Sequence, residues 1–283
     1  MTRVFGVMGF PINHSLSPVM HNAAFKALGL DAIYAPFEAS PAKLSRVLRG
    51  LLACGIEGLN VTVPLKETVV PFVDAMAQEA KDLAAVNTIV VQHGQMIGYN
   101  TDVIGFIRAL EELGWRHRPC RAVILGAGGA AKAVAWALTR DKGTSLTIAN
   151  RHIARAKRLA RWLTRQRPWC RIQAQSLERI ELHEQELLVN ATPVGMRARD
   201  GWLIDRKTLH RSLTVYDLVY HRTTPLVQEA QRRGCLAANG LSMLVYQGAE
   251  SFRLWCRRSP PIAVMRQAVE QTVHSPQTIV HRQ

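Results

Sequence analysis

A chain of 283 residues, 48% hydrophobic and 6% aromatic, has material for two α/β cores and carries a formal net charge of +15. It holds no apolar run of the roughly 18 residues a membrane span needs, and its start, MTRVFGVMGFPIN, breaks at Gly9 and Pro11, which also argues against a signal peptide. The cysteines at 54, 120, 170, 235 and 256 are odd in number and form no CxxC, so the expectation is a cytoplasmic protein with reduced thiols and no metal site.

In chain order, RVFGVMG (3–9) reads as a strand, and Ser17 as the N-cap of a helix from about Pro18 to Leu28. AIYAPFEA (32–39) is a strand, after which Ser40 caps a helix that starts at Pro41 and ends near Gly55. GLNVTVP (58–64) is a third strand, with Thr62 in its middle, followed by short helical pieces. NTIVVQHG and QMIGYNTD form a hairpin around His93-Gly94, and VIGFIRALEELG (103–114) is a helix. A second alternating series begins at RAVILGAGGAAKAVAWALTR, with strands at 145–150, 187–192 and 213–220 and terminal helices at 242–256 and 261–273. Alternation of this kind implies parallel sheets and two α/β domains with a boundary near residue 102. The tail HSPQTIVHRQ has no apolar periodicity.

The densest charge lies in RHIARAKRLARWLTRQRPWCR (151–171), which contains no acidic residue. Ile153, Ala156, Leu159, Ala160 and Leu163 recur there at helical spacing, so the basic residues form the wet face of an amphipathic helix. No nucleic-acid module and no basic–aromatic interleaving on a strand accompanies it, and no nucleic-acid partner is expected.

VILGAGGAAKA places an apolar strand, a glycine-rich turn and a helix start in succession. Gly126 permits the tight turn, Gly128 lets a pyrophosphate approach the backbone, and Ala131 allows close helix–strand packing. The next strand ends in Asn150, Arg151 and Arg155, with no acid nearby. A carboxylate there would bond a ribose 2′-hydroxyl, whereas guanidinium groups bind a 2′-phosphate, so NADP is the favoured cofactor. In the first half, Lys66, Asn87, Asn100, Thr101 and Asp102 cluster at strand ends, with Thr62 within the preceding strand, and ligands of such sheets bind at that edge. A Lys66–Asp102 pair is suited to shuttling a proton, the carboxylate orienting the amine.

These stretches resemble the shikimate dehydrogenase family over essentially the whole length: GFPINHSLSPVMHNAAF, GLNVTVPLKE, AVNTIV, GYNTDVIGF, GAGGAAKAV, NATPVGM and GLSMLVYQGAESF occur in the family's order. The resemblance implies a substrate domain over 1–102, a Rossmann-type NADP domain over 103–238, a cleft between them, and C-terminal helices (239–283) that return to the first domain. It implies that Ser15 and Ser17 hold the substrate carboxylate and that Thr62, Asn87, Asp102, Tyr220 and Gln247 reach the rest of the substrate. Lys66 would face the reacting oxygen. Gly126, Ala127, Gly128, Gly129, Ala130, Asn150, Arg151 and Arg155 would hold the NADP phosphates, and Thr192, Leu218, Gly240 and Met243 would line its nicotinamide side. The implied activity is the reversible NADPH-linked reduction of 3-dehydroshikimate to shikimate, a step of chorismate and aromatic amino-acid biosynthesis, by a monomer or homodimer. A quinate/shikimate dehydrogenase is the neighbouring alternative, and a catalytically silent sensor would not need both Lys66 and Asp102. Two positions depart from the family's pattern: His152 replaces a hydroxyl residue, and the segment YHRTTPL after Tyr220 is about one residue short.

Overall fold

The computed structural model describes residues 1–197 and 199–274; the tail from 275 lies outside the described residues. The chain runs β1 (Arg3–Gly9), α1 (Ser17–Ala27), β2 (Ala32–Glu38), α2 (Leu44–Ala53), β3 (Ile56–Val61), β4 (Ala75–Met76), α3 (Gln78–Leu83), β5 (Thr88–Gln92), β6 (Gln95–Tyr99) and α4 (Asp102–Glu112). It continues β7 (Arg121–Leu125), α5 (Gly129–Leu138), β8 (Ser145–Ala149), α6 (Ile153–Gln166), β9 (Arg171–Gln175), β10 (Leu187–Asn190), β11 (Thr214–Asp217), α7 (Pro225–Arg232), β12 (Leu236–Asn239), α8 (Leu241–Cys256) and α9 (Ile262–His274). Among the described residues two compact units result, Met1–Gly105 with Val245–His274, and Phe106–Leu244. The divisions fall inside α4 and α8. Among the described residues no helix is long and apolar enough to cross a membrane.

The first unit holds a six-stranded sheet in the order β2-β1-β3-β5-β6-β4. It is mixed rather than wholly parallel: β5 runs antiparallel to both β3 and β6. The hairpin forces the β5–β6 pairing, because a two-residue turn can join only antiparallel neighbours. His93 (φ 50°) and Gly94 (φ 76°) supply the two positive φ angles that such a turn needs. The strand period of two then sorts side chains to opposite faces. Met8, Leu59, Val61 and Ile89 join Leu44 and Leu48 of α2 in one buried cluster. Phe5, Phe25, Phe252 and Trp255 stack on the other, with centroids 5.3–5.6 Å apart. Trp255 lies flat on Gly58, where a Cβ would sit 2.3 Å from its indole nitrogen, and its N–H donates to the Ile89 carbonyl at 2.9 Å. That contact ties α8 to the sheet.

Two helix starts differ from expectation. Ser17 is the first helical residue, not the cap; Leu16 takes the cap position, and Ser15 Oγ accepts the Ser17 N–H at 3.3 Å. After Ser40 a single 3₁₀ turn (Pro41–Lys43) precedes α2. His21, one turn along α1, is fully buried and stacked on Tyr34 at 4.4 Å, and this apolar setting pushes its imidazole down to about 3.

The second unit holds six parallel strands in the order β12-β11-β10-β7-β8-β9, the arrangement of a doubly wound dinucleotide-binding sheet. Its first β–α turn and the β7/β10 neighbours mark the point where strand order reverses, the usual ligand crevice. Val123, Leu125, Leu188 and Val215 fill one core face with Leu209, Leu213 and Ala230. On α6, Ala156, Leu159, Ala160 and Leu163 are buried as their spacing requires, and Arg158 and Arg161 are exposed.

Candidate functional site

In the first unit, backbone hydrogen bonds stitch the loops after β1 and β3 together. Phe10 N–H donates to Val63 O at 3.1 Å, and Thr62 N–H to Met8 O at 2.9 Å. Thr62 therefore lies one residue beyond the end of β3 rather than in its middle. Pro64, which has no N–H to continue a ladder, makes the strand stop early. The Thr62 methyl rests on Gly9, where a Cβ would come within 2.5 Å. Val86 N–H donates to the Lys66 carbonyl at 2.8 Å, which sets this loop beside the start of β5.

Lys66 Nζ donates to Asp102 Oδ2 at 2.6 Å, the two side chains being only 14% and 7% exposed. The other carboxylate oxygen accepts Asn87 Nδ2 at 2.9 Å. Asn87 Oδ1 accepts the Thr101 N–H at 2.7 Å, which fixes the amide so that its NH₂ faces the carboxylate. Asp102 opens α4, where the helix dipole favours a negative charge, and its own N–H donates to Asn100 Oδ1 at 3.1 Å. A buried ion pair of this kind is costly to desolvate, and breaking it strands a charge. Its placement points to chemistry rather than stability.

Ser15 is half-buried and Ser17 buried at the entrance to α1. Gln247 on α8 is half-buried and is positioned by a residue that motif reading missed, Gly105. A Cβ on Gly105 would lie 2.9 Å from the Gln247 backbone nitrogen, so only glycine lets α4 and α8 close up there, one turn after Asp102. An isolated glycine inside the apolar helix VIGFIRAL was the available signal.

In the second unit, Gly126 adopts φ 115° and passes so close to Ala191 that a Cβ would lie 2.8 Å from its carbonyl oxygen. Gly128 behaves oppositely: a Cβ there would meet nothing within 4 Å. Gly128 is also the extended N-cap of α5, and no side chain caps that helix. Ala127, Gly129 and Ala130 complete an open turn of backbone at a positive helix end, which fits a dinucleotide pyrophosphate. At the end of β8, Asn150 Oδ1 accepts the His152 N–H at 2.9 Å and starts α6. That turn leaves Arg151 and Arg155 exposed, and neither pairs with a carboxylate among the described residues. Charge and exposure both suit a 2′-phosphate.

Farther along the sheet, Thr192 donates its hydroxyl to Asn190 Oδ1 at 2.7 Å, and Gly240 meets the Leu218 carbonyl where a Cβ would come within 2.2 Å. Met243 is buried on the first turn of α8, and Tyr220 is half-buried beside His221 at 4.1 Å. Asn190 and Asp217, polar residues closing apolar strands, were the overlooked pair here. Asp217 accepts Asn190 Nδ2 at 2.9 Å, Val219 N–H at 3.0 Å and Thr224 Oγ1 at 2.6 Å. Burial nevertheless dominates and pushes its carboxyl up to about 6.

A raised carboxyl is a stability statement. Its contribution is full below the unfolded value near 4 and is lost as pH rises through about 6. The stability of the wild type relative to Asp217→Asn should therefore fall by up to about 3 kcal/mol between pH 4 and pH 7. Urea unfolding of both proteins at the two pH values measures it, and a pH-independent difference would contradict the burial account.

With this geometry in place, comparisons with known proteins agree from end to end. The model described as shikimate dehydrogenase substrate binding domain matches residues 7–89, that of shikimate / quinate 5-dehydrogenase 109–197, and that of the shikimate 5'-dehydrogenase C-terminal domain 240–270. The shikimate dehydrogenase (NADP(+)) of Methanopyrus kandleri is 44% identical over 276 residues, 95% of each chain. A crystal structure of a shikimate dehydrogenase in complex with NADP+ superposes with a TM-score of 0.91 at 38% identity, covering 97% of this chain and 96% of that one. The quinate dehydrogenase of Corynebacterium glutamicum in complex with NAD gives 0.88 at 32% identity, over 95% and 99%. Matched along its length in sequence and fold, with a buried lysine–aspartate pair and an open glycine turn, the chain belongs to the shikimate dehydrogenase family.

Proposed function

We propose that this chain catalyses the reversible, NADPH-linked reduction of 3-dehydroshikimate to shikimate, as a cytoplasmic enzyme acting on small molecules. The observation that carries the reading is the Lys66–Asp102 pair, 2.6 Å apart and largely withdrawn from water. NADP, when bound, supplies or removes the hydride at the C3 position of the ring. The protein's own task is the proton on the C3 oxygen. An ammonium has three donors, and Lys66 directs one to Asp102, so the amine is held in place with donors remaining for the substrate oxygen. Asp102, kept from rotating by Asn87, sets where that amine points. In the oxidative direction the same amine receives the hydroxyl proton.

Ser15 and Ser17 take the substrate carboxylate, Thr62 and Gln247 the ring hydroxyls, and Tyr220 completes the substrate contacts. The turn from Gly126 to Ala130 takes the pyrophosphate, with Asn150, Arg151 and Arg155 at the adenosine end. Thr192, Leu218, Gly240 and Met243 border the nicotinamide. Arg151 and Arg155 favour NADP over the NAD of the quinate dehydrogenase neighbour.

Shikimate-dependent NADPH formation, followed by absorbance, tests the activity; no NADPH at saturating shikimate would overturn it. The same assay checks the clamp. The carboxylate stays bound while chemistry proceeds at C3, so Ser15→Ala and Ser17→Ala should each raise the KM for shikimate about tenfold and lower kcat much less. Variants that keep the wild-type KM would return these hydroxyls to a purely structural role at the start of α1.

A further inference from the structure

The Lys66–Asp102–Asn87 chain does not end at Asn87. Thr88, the next residue on β5, is fully buried, and its hydroxyl donates to Asn87 Oδ1 at 3.0 Å. Thr88 Oγ1 accepts Asn60 Nδ2 at 3.0 Å and lies 2.8 Å from Ser251 Oγ and 3.3 Å from Thr101 Oγ1. Ser251, also fully buried, comes from α8 and donates to the Gln247 carbonyl at 3.0 Å one turn earlier. Asn60 is oriented in turn by Tyr34, whose hydroxyl donates to its Oδ1 at 2.7 Å. Four hydroxyls and two amides thus form one dry network on the sheet face opposite α2. It runs from Tyr34 on β2 to the lysine–aspartate pair, with Gln247 on its flank.

Such a network is expensive unless every member is satisfied, and an apolar core would fill the same space at lower risk. The donors meeting at Asn87 Oδ1 are the Thr101 N–H and the Thr88 and Thr101 hydroxyls. Together they keep the amide carbonyl turned away from the Asp102 carboxylate; the flipped amide would set oxygen against oxygen. We infer that Thr88 and Ser251 are positioning residues for the reaction: their hydroxyls hold Asn87, and through it Asp102, in line with Lys66, and lock the α8 turn that carries Gln247 to the same frame. This rests on the proposed shikimate dehydrogenase activity, and neither residue touches substrate.

Thr88 allows packing and hydrogen bonding to be separated. Thr88→Val keeps the shape and removes the hydroxyl; Thr88→Ser keeps the hydroxyl and removes a methyl. Thr88→Val should lower kcat for shikimate oxidation about ten- to a hundredfold, the scale of a sub-ångström to 1 Å misplacement, with the KM for NADP+ within about twofold of wild type. Thr88→Ser should stay within about threefold of wild-type kcat, although it loses more packing. Ser251→Ala should resemble Thr88→Val and in addition raise the KM for shikimate through Gln247, and it replaces Thr88→Val in the comparison if that protein does not fold. A Thr88→Val or Ser251→Ala enzyme with wild-type kcat, or a Thr88→Ser enzyme as impaired as Thr88→Val, would overturn the assignment. A wild type inactive on shikimate would instead overturn the activity itself.

Discussion

Lys66→Ala is expected to lower turnover of shikimate about 10²–10⁴-fold, the usual share of general acid–base catalysis, and to leave substrate affinity within a few-fold. The split follows from the geometry. Lys66 is the amine of the buried pair, whereas the serines stand at the start of α1 and Thr62 is held by its own backbone bond to Met8, so these groups survive its removal. Alanine also leaves the Asp102 carboxylate without its cation, so some stability should be lost together with the rate. Comparing kcat and KM with the urea midpoint of the same variant separates the two effects. Near-normal turnover would remove Lys66 from the chemistry. Asp102→Asn should also lose rate, because an amide no longer anchors the ammonium by charge.

Arg151→Asp should weaken NADP+ by about 10- to 150-fold, since hydrogen bonds to charged groups are worth about 1.5–3 kcal/mol each. A carboxylate at that position would also repel the 2′-phosphate and could bond a bare 2′-hydroxyl, so NAD+ should be almost unaffected. Arg155, in the first turn of α6 and likewise exposed, should cost a charge-assisted hydrogen bond of the same kind when replaced alone. His152 stands between them with its backbone N–H committed to Asn150, so the turn itself persists in either variant. Fluorescence titration with the two dinucleotides reads both affinities. Equal losses for NADP+ and NAD+ would place Arg151 outside the 2′-phosphate site.

What could be read in the sequence was whatever has a local cause. The glycine turn after β7, the amphipathic stripe of α6 and the positive-φ pair at His93-Gly94 each announce themselves within a few residues. Edge strands did not. β9 reads RIQAQ and β12 reads LAAN, both partly exposed and without the apolar run that marks a central strand. Ser17 suits a cap by local preference, yet it stands as the first residue of α1 and is buried, which depends on packing that no local rule states. Lys66 and Asp102 were legible as residue types at strand ends, but the residues that hold them were not. Thr88, Asn60 and Ser251 come from β5, β3 and α8, and nothing in TIVVQ or AESFRLW distinguishes a hub hydroxyl from an ordinary buried one. Gly105 lay between these cases, visible as an oddity yet explained only once Gln247 was seen against it.

Steady-state efficiency on four substrate pairs tests most directly whether the site is built for shikimate and NADP. Shikimate and quinate, each with NADP+ and with NAD+, are compared as kcat/KM from the rise in reduced cofactor. Quinate carries an extra hydroxyl on a tetrahedral C1, beside the carboxylate that Ser15 and Ser17 would clamp. A buried polar group left unpaired costs roughly 1–3 kcal/mol, so shikimate should lead by about one to two orders of magnitude. NADP+ should lead NAD+ in the same sense through Arg151 and Arg155. The predicted result is a clear maximum for shikimate with NADP+; equal efficiency on quinate, or equal use of NAD+, would contradict it.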